Sequence, residues 1–526
     1  HPVPRLRQRR VREADLGQGV PSYALVGLPD TSLSESRDRV RAALVNSGLR
    51  WPATRRVTVN LSPASLPKRG SSFDLAIAAA ILEAQGDVPP GAFWQAVLVG
   101  ELGLDGRVRS VRGVLPSVAA AARAGVRSVV VPAADAAEAA LVPGVQVTGV
   151  STVRELVARA RGEEPPEGPA ADVVRLDDLD RLDRPGEAGS STSAADDRLE
   201  DLHRVDLADV LGQATARYLL EVAAAGGHHL LMLGPPGAGK TMLAERLPGL
   251  LPALDDQAAL EVTTVHSVAG TLGRAGGTPL LTRPPFQSPH HTASVPAIVG
   301  GGSHVLRPGA ASLAHRGVLF LDEAPEFAPG VLDALREPLE SGEITVARLA
   351  AQVRFPARFQ LVLAANPCPC GLATERDAAC SCTPMARIRY LGRLSGPLLD
   401  RVDLRIEMRA ASRADLHGDP AGAEGTAAVA ARVLAARGRM AARLAGTPWR
   451  VNAEVPGHVL RREWRLPWDV VAEAEQRLDR GGLTARGVDR VVRVAWTLAD
   501  LAGRDRPDAD DVRVALDSRG STRRAA

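Results

Sequence analysis

The sequence predicts an α/β protein in three folded parts: a mixed α/β domain over residues 1–160, a parallel-sheet nucleotide-binding core over 206–410, and a helical domain over 411–526. Three observations predict it. Short apolar runs alternate with helix-like stretches through the first two parts. Gly234-Pro-Pro-Gly-Ala-Gly-Lys-Thr241 spells a phosphate-binding loop between a strand-like and a helix-like run. Beyond about residue 426 apolar side chains recur at helical spacing, as in Val488, Val491, Val492, Ala495, Leu498 and Leu501.

In the first part, Val57–Leu61, Ala96–Val99 and Ser128–Pro132 read as strands, and Arg37–Leu49 and Asp74–Glu83 as helices. Residues 161–205 read as a flexible acidic linker, because 162–203 hold thirteen acidic and four basic residues and no apolar period. Such a composition cannot bury enough surface to order itself. In the core, His228–Leu233 is a short buried strand that enters the loop, and Met242–Leu247 begins the helix that leaves it. The loop stands out against the composition. The chain has two lysines, Lys68 and Lys240, against sixty-two arginines. A phosphate loop wraps backbone N–H groups around phosphates and needs a slim ammonium, not a broad planar fork, to reach the β and γ groups. Gly234, Pro235, Pro236, Gly237, Ala238, Gly239, Lys240 and Thr241 are therefore assigned to a nucleoside triphosphate, ATP.

Val318–Leu321 is an apolar run that ends in Asp322 and Glu323. A central strand carries such acids to its C-terminal edge, where ligands sit in open α/β sheets. Asp322 would hold Mg²⁺ with Thr241, and Glu323 would orient or deprotonate the attacking water. A second apolar strand, Gln360–Ala365, ends at Asn366, whose amide can bond the γ-phosphate or the water. Arg401 is a candidate arginine finger for the ATP of a neighbouring subunit; a surface salt bridge within the local Asp/Arg cluster is its bland alternative. Cys368, Cys370, Cys380 and Cys382 are the only cysteines. Their clustering suits a tetrahedral structural Zn²⁺ site, with reduced thiols in a loop as the alternative, and four sulfurs leave no open position for catalysis.

These motifs together resemble the magnesium chelatase-like AAA+ ATPases of the ComM/YifB group. The likeness also runs through Pro289-His-His-Thr-Ala-Ser294, Gly300-Gly-Gly302, Ser312–Glu323, Asn366-Pro-Cys-Pro-Cys-Gly371 and Ser395–Asp403, and covers nearly the whole chain. It implies a homo-oligomeric ring, usually a hexamer, that hydrolyses ATP with Lys240, Asp322, Glu323, Asn366 as first sensor, Arg401 as finger and Arg486 as a second sensor reaching ATP from a helical C-terminal lid. It implies DNA as partner, single-stranded or branched and bound without sequence preference, with branch migration or helicase activity in recombination after natural transformation. In the related motors a hairpin before the first sensor, here Glu343–Phe355, and an insert at about 266–312 point into the pore; Arg348 and Arg354 would then meet phosphates. An ordinary exposed hairpin is the alternative. Aromatics at 3% make base stacking a poor expectation. Residues 57–132 resemble the proteolytic domain of Lon-type proteases, with Ser72 at the nucleophile position. Ser117 stands where the lysine partner belongs, and a serine without a base is a poor nucleophile, so the expectation is a non-proteolytic, Lon-protease-like N-terminal domain. Trp496 and Gln287 depart from the family pattern, since relatives usually carry arginine at both positions.

Other function classes are disfavoured. A chelatase-type motor for metal insertion lacks the Lon-like domain, and an ATP-dependent protease needs the missing lysine. No apolar run approaches the ~18–20 residues that span a bilayer, so no membrane partner is expected. The net charge of +3 is too small to argue for any partner. The chain starts at His1, which points to a missing or processed start; no secretory pattern follows, and the cysteine usage fits a reducing cytoplasm.

Overall fold

The computed structural model describes residues 12–62, 68, 70–166, 205–272, 280–302, 306–348, 351–373, 380–410 and 424–519. The linker expected at 161–205 lies almost wholly outside them, as do residues 66, 67 and 69 of the protease-like segment and parts of the 266–312 insert. The chain divides into two compact units, the first formed by the N-terminal part together with residues 266–280, the second by the remainder.

In the first unit, β1 (Arg12–Gly17), β2 (Ser22–Val26) and β3 (Arg56–Leu61) form a sheet in the order β1-β3-β2, antiparallel then parallel. Along β3, Val57, Val59 and Leu61 are buried and alternate with more exposed residues, so one face meets the core. Helices α1 (Ser36–Asn46) and α2 (Asp74–Gln85) supply Val40, Leu44, Leu75, Ile77 and Leu82 to the same core. A second, parallel sheet joins β4 (Ala96–Leu98), β7 (Ser128–Pro132) and β8 (Gln146–Val150), beside a short hairpin of β5 (Glu101–Leu102) and β6 (Val108–Arg109).

The second unit is built on five parallel strands: β9 (Leu230–Leu233), β10 (Phe286–Gln287), β11 (Val318–Leu321), β14 (Gln360–Ala365) and β15 (Leu404–Glu407), in the order β10-β11-β14-β9-β15. Every residue of β11 and β14 is buried. Alternate side chains enter two different cores. Val318, Phe320, Val362 and Ala364 pack with Leu243 and Leu247 of the helix after the phosphate loop, whereas Leu319, Leu321, Leu361 and Leu363 pack with Ile298, Phe327 and Leu398. Both faces are covered, which is why these strands read as unbroken apolar runs. Between β11 and β14, β12 (Glu343–Arg348) and β13 (Ala351–Pro356) form the expected antiparallel hairpin.

The C-terminal segment is helical, as expected: α3 (Thr426–Arg443), α4 (Trp468–Asp479), α5 (Ala485–Leu501) and α6 (Ala509–Asp517). Thr484 caps α5 by accepting the Gly487 N–H at 3.1 Å, and Asp508 and Asp511 close a reciprocal capping box on α6. Val491, Ala495 and Leu498 of α5 join the core shared with the sheet. Trp496 is a packing residue: it stacks on Trp464 with ring centroids 5.3 Å apart, and the Arg443 guanidinium lies 4.6 Å over its ring. The departure from arginine at this position is thus absorbed into a buried aromatic cluster. Gln287 lies on β10, at the sheet edge. No helix among the described residues is long and apolar enough to cross a membrane.

His315, just before β11, is 2% exposed. Its Nδ1 accepts the Arg358 N–H at 3.0 Å, so Nε2 carries the proton towards Glu261, 3.3 Å away. Burial and the Arg316 charge push its pKa down to about 4, against the pull of Glu261. The unfolded chain, with a histidine pKa near ~6.5, takes up a proton first as pH falls. His315 therefore contributes stability above about pH 6.5 that is lost towards pH 4, at up to ~1.4 kcal/mol per pH unit. Denaturation midpoints measured across this window should fall with acidification, and His315→Gln should flatten the slope; an unchanged slope in the variant would refute the assignment.

Candidate nucleotide site

Three neighbouring parallel strands end on one edge of the sheet. The loop 234–241 follows β9, Asp322 and Glu323 follow β11, and Asn366 follows β14. Gly239 adopts φ +85° immediately before the helix Lys240–Leu250, a backbone that an L side chain resists. The Lys240 ammonium is buried and donates to the carbonyls of Gly234 (2.7 Å) and Pro235 (2.9 Å) and to Asn366 Oδ1 (3.0 Å). Burial lowers its pKa, while the charges of Asp322 and Glu323 act the other way. Thr241 Oγ1 donates to Asp322 Oδ2 at 2.7 Å, and the other carboxylate oxygen accepts the Glu323 N–H at 2.9 Å. Thr241 and Asp322 thus place a hydroxyl and a carboxylate side by side, a hard oxygen pair of the kind Mg²⁺ takes alongside phosphates.

Glu323 holds a left-handed backbone, φ 50°, a cost that persists where function fixes the chain. Its half-exposed carboxylate lies 3.4 Å from His291 Nδ1, and the His291 ring stacks beside His290 at 4.1 Å between centroids. The sequence reading assigns His291 no partner and misses this pairing. The contact spans thirty-two residues, and nothing local in Pro289-His-His-Thr-Ala-Ser294 announces it.

Arg401 and Arg486 are not brought to Lys240. Together they line a cleft of about 1130 Å³ that also includes His229, Arg316, Gly317, Phe359 and Asp403. Those residues precede β9, β11, β14 and β15, so the cleft opens at the strands' N-terminal edge, opposite the phosphate loop. Arg486, expected to reach ATP from the helical C-terminal segment, lines this cleft with Arg401. Arg401 donates to Glu340 and to the Pro397 carbonyl, and its buried Nε has no partner among the described residues. Burial and then the charges of Arg336, Arg490 and Arg486 lower its pKa, so cations crowd this edge. Arg490 of α5 donates to the Arg401 carbonyl at 3.0 Å and to Asp403 at 2.5 Å. Asp403 also meets His228 Nδ1 at 3.1 Å, and His228 Nε2 meets Thr497 at 2.8 Å.

The cysteine sulfurs come together: Cys368 lies 3.3 Å from Cys370 and 3.7 Å from Cys380, and all four fall within 4.8 Å of one another. Of the two hairpin arginines, Arg348 lies at the end of β12, and Arg354 is exposed, 4.0 Å from Glu343. The hairpin and the segment around Gly300-Gly301 line a shared cleft of about 330 Å³. In the first unit, Ser72 sits in the turn before α2, and it is Ser71 that bonds Glu101. Ser117 donates to the Gly113 carbonyl at 2.7 Å, and Lys68 bridges Leu28 and Asp30 through its backbone.

Three family models match the chain: magnesium chelatase, subunit ChlI, over residues 206–416; subunit ChlI of Mg-chelatase over 12–135; and the magnesium chelatase subunit ChlI C-terminal region over 423–519. The uncharacterized protein Rv2897c of Mycobacterium tuberculosis is 52% identical over 510 residues, 96% of this chain and 95% of its own. The competence protein ComM of Haemophilus influenzae is 41% identical over 492 residues, and YifB of Escherichia coli 40% over 489, each covering 93% of this chain and 90% of the relative. With its loop, acidic pair and asparagine gathered on one sheet edge and relatives aligned along nearly all its length, the chain belongs to the magnesium chelatase-like family, in the ComM/YifB group.

Proposed function

We propose that the protein is an AAA+ ATPase that works as a homo-oligomeric ring, of six subunits by the family pattern, and drives branch migration or unwinding of DNA in recombination. The observation that carries the reading is the division of the site between two edges of one sheet. Lys240, Thr241, Asp322, Glu323 and Asn366 share one edge, Arg401 and Arg486 the other. A chain folded this way meets its own triphosphate with only half of the charge-stabilising groups. A neighbour presenting its arginine edge would complete the site, which makes assembly a condition of hydrolysis.

In this reading the loop 234–241 cradles the phosphates of ATP and Lys240 exchanges its carbonyl partners for phosphate oxygens. Thr241 and Asp322 would hold Mg²⁺, which would supply charge neutralisation for the phosphates. Glu323 releases His291 and takes the proton of the attacking water, while Asn366 aligns that water or the γ-phosphate. The four cysteines would hold a structural Zn²⁺: the sulfurs of Cys368, Cys370 and Cys380 lie 3.3, 3.7 and 3.5 Å apart, near the ~3.8 Å edge of a tetrahedron with ~2.3 Å zinc–sulfur bonds, and all four sulfurs fall within 4.8 Å of one another. DNA is the substrate by the resemblance to the ComM/YifB group and by the arginines at the hairpin, Arg348 and Arg354, which would meet phosphates without reading sequence. The N-terminal domain is read as Lon-protease-like without proteolysis, since Ser117 spends its hydroxyl on its own helix. A chelatase-type motor is the second reading, favoured by the family models' description.

ATP turnover measured with and without a branched or single-stranded DNA decides between them. Turnover should rise several-fold with DNA, and the effect should collapse between about 50 and 200 mM salt. No stimulation and no binding at low salt would overturn the DNA reading. Glu323→Gln should still bind ATP but hydrolyse it at least ~100-fold more slowly, and near-normal turnover would remove its assigned role. Arg401→Ala and Arg486→Ala should each be nearly inactive alone. Mixed with Glu323→Gln subunits, either should regain part of the turnover, because an intact loop then faces intact arginines. Mixtures as inactive as their components would place the arginines in the chain's own site.

A further inference from the structure

The cysteine cluster lies against the catalytic edge, and the chain around it closes on itself. One residue separates Asn366 from Cys368, and Asn366 Oδ1 is an acceptor of the Lys240 ammonium. The turn Cys368–Gly371, closed by the Gly371 N–H to the Cys368 carbonyl at 3.0 Å, packs on the phosphate loop. Gly371 has φ +77°, and a Cβ there would fall 2.6 Å from the Pro236 ring. Cys368 is fully buried, and its sulfur also accepts the Ala373 N–H at 3.4 Å, as a metal-bound thiolate does. On the other side, Cys382 is followed by Thr383, which caps the helix Pro384–Leu391 by accepting the Ala386 N–H at 3.2 Å. That helix returns the buried Tyr390 to Asn366, whose backbone N–H interacts with the Tyr390 hydroxyl. The path thus runs from Asn366 through two cysteine pairs and one helix back to Asn366.

We propose that the zinc-loaded cysteine cluster is a strut that holds the Asn366 amide in place, so that metal occupancy sets the rate of ATP hydrolysis. The proposal rests on the zinc reading given above and adds a role to it. A tetrathiolate site has no open position and does no chemistry of its own; its contribution is rigidity. It pins the two ends of the segment 368–382, fixing both the strand exit that bears Asn366 and the start of the helix that bears Tyr390. Without the metal, the backbone on either side of Asn366 gains freedom, and an amide misplaced by about 1 Å can cost ~100-fold in rate. Nucleotide binding depends mainly on the backbone of 234–239 and on Lys240, so affinity should change much less than turnover.

The full-length protein is assayed for zinc content, for nucleotide affinity with a fluorescent ATP analogue, and for turnover in excess Mg²⁺, before and after a zinc-selective chelator and again after added Zn²⁺. About one zinc per chain is expected, with turnover falling at least ~10-fold on removal, affinity changing less than ~3-fold, and recovery on reloading. Tyr390→Phe, which leaves all four cysteines in place, should keep its zinc and its affinity and still lose turnover. Zinc present but removable without loss of turnover overturns the strut and leaves the zinc site standing. Protein isolated from zinc-supplemented cells without zinc overturns both. If chelation unfolds the protein, Tyr390→Phe decides: full turnover in that variant refutes the path through the helix.

Discussion

The parallel alignment of β11, β14, β9 and β15 is the constraint on which the rest depends. Parallel strands put all their C-terminal tips on one edge, so three loops far apart in sequence must converge there. β11 and β14 from Leu361 onward are apolar and buried on both faces, and Asp322, Glu323 and Asn366 emerge where these strands stop. The same geometry exiles whatever precedes the strands to the opposite edge. Arg401, two residues before Asp403 and three before β15, belongs there by connectivity alone, and Arg486 follows because its helix packs on that side.

The opposite edge is held by a buried polar chain rather than by apolar contact. Burial raises the pKa of the Asp403 carboxyl, but the His228 hydrogen bond and the Arg490 and Arg493 charges overcome it and hold the carboxyl well below the usual range. Asp403 thereby joins the start of β9, through His228, to the start of β15 and to α5, through Arg490. Thr497 extends the chain to Asn452, which in turn bonds Asp500 at 2.9 Å. A network satisfied at this many points is costly to open partially, because each broken bond leaves a buried polar atom without a partner. Since Arg490 also bonds the Arg401 carbonyl and shares a helix with Arg486, α5 links the two segments that carry the outlying arginines.

Much of the phosphate-loop edge was legible in the sequence because its information is local. The loop 234–241 carries its glycines and lysine at fixed spacing, Asp322 and Glu323 end an apolar run, and Asn366 ends another. Strand direction then does the assembly. The pairing of His291 with Glu323 was not legible, since it depends on how the insert folds back over the strand tip. Arg486 was placed by motif, and a motif names a residue without saying which edge of the sheet it faces. Trp496 looked like a lost function, yet burial among Trp464, Arg443 and Val492 makes it core, and only tertiary packing reveals that. The cysteines were legible as a cluster but not as neighbours of the phosphate loop, because the contact with Pro236 depends on the left-handed turn at Gly371.

Lys240 explains why the chain keeps a lysine there among sixty-two arginines. An ammonium has three N–H donors, and three oxygens converge on it within 3.0 Å: two carbonyls of its own loop and the Asn366 amide. A guanidinium spreads five donors over a rigid plane and cannot present them to three acceptors gathered around a point. Arginine here would leave carbonyls unmatched and push its bulk into the space that the loop reserves for phosphate. Burial disfavours the ammonium, and the carboxylates of Asp322 and Glu323 act against that burial. The residue type whose donors fit these three gathered acceptors is the one the sequence retains.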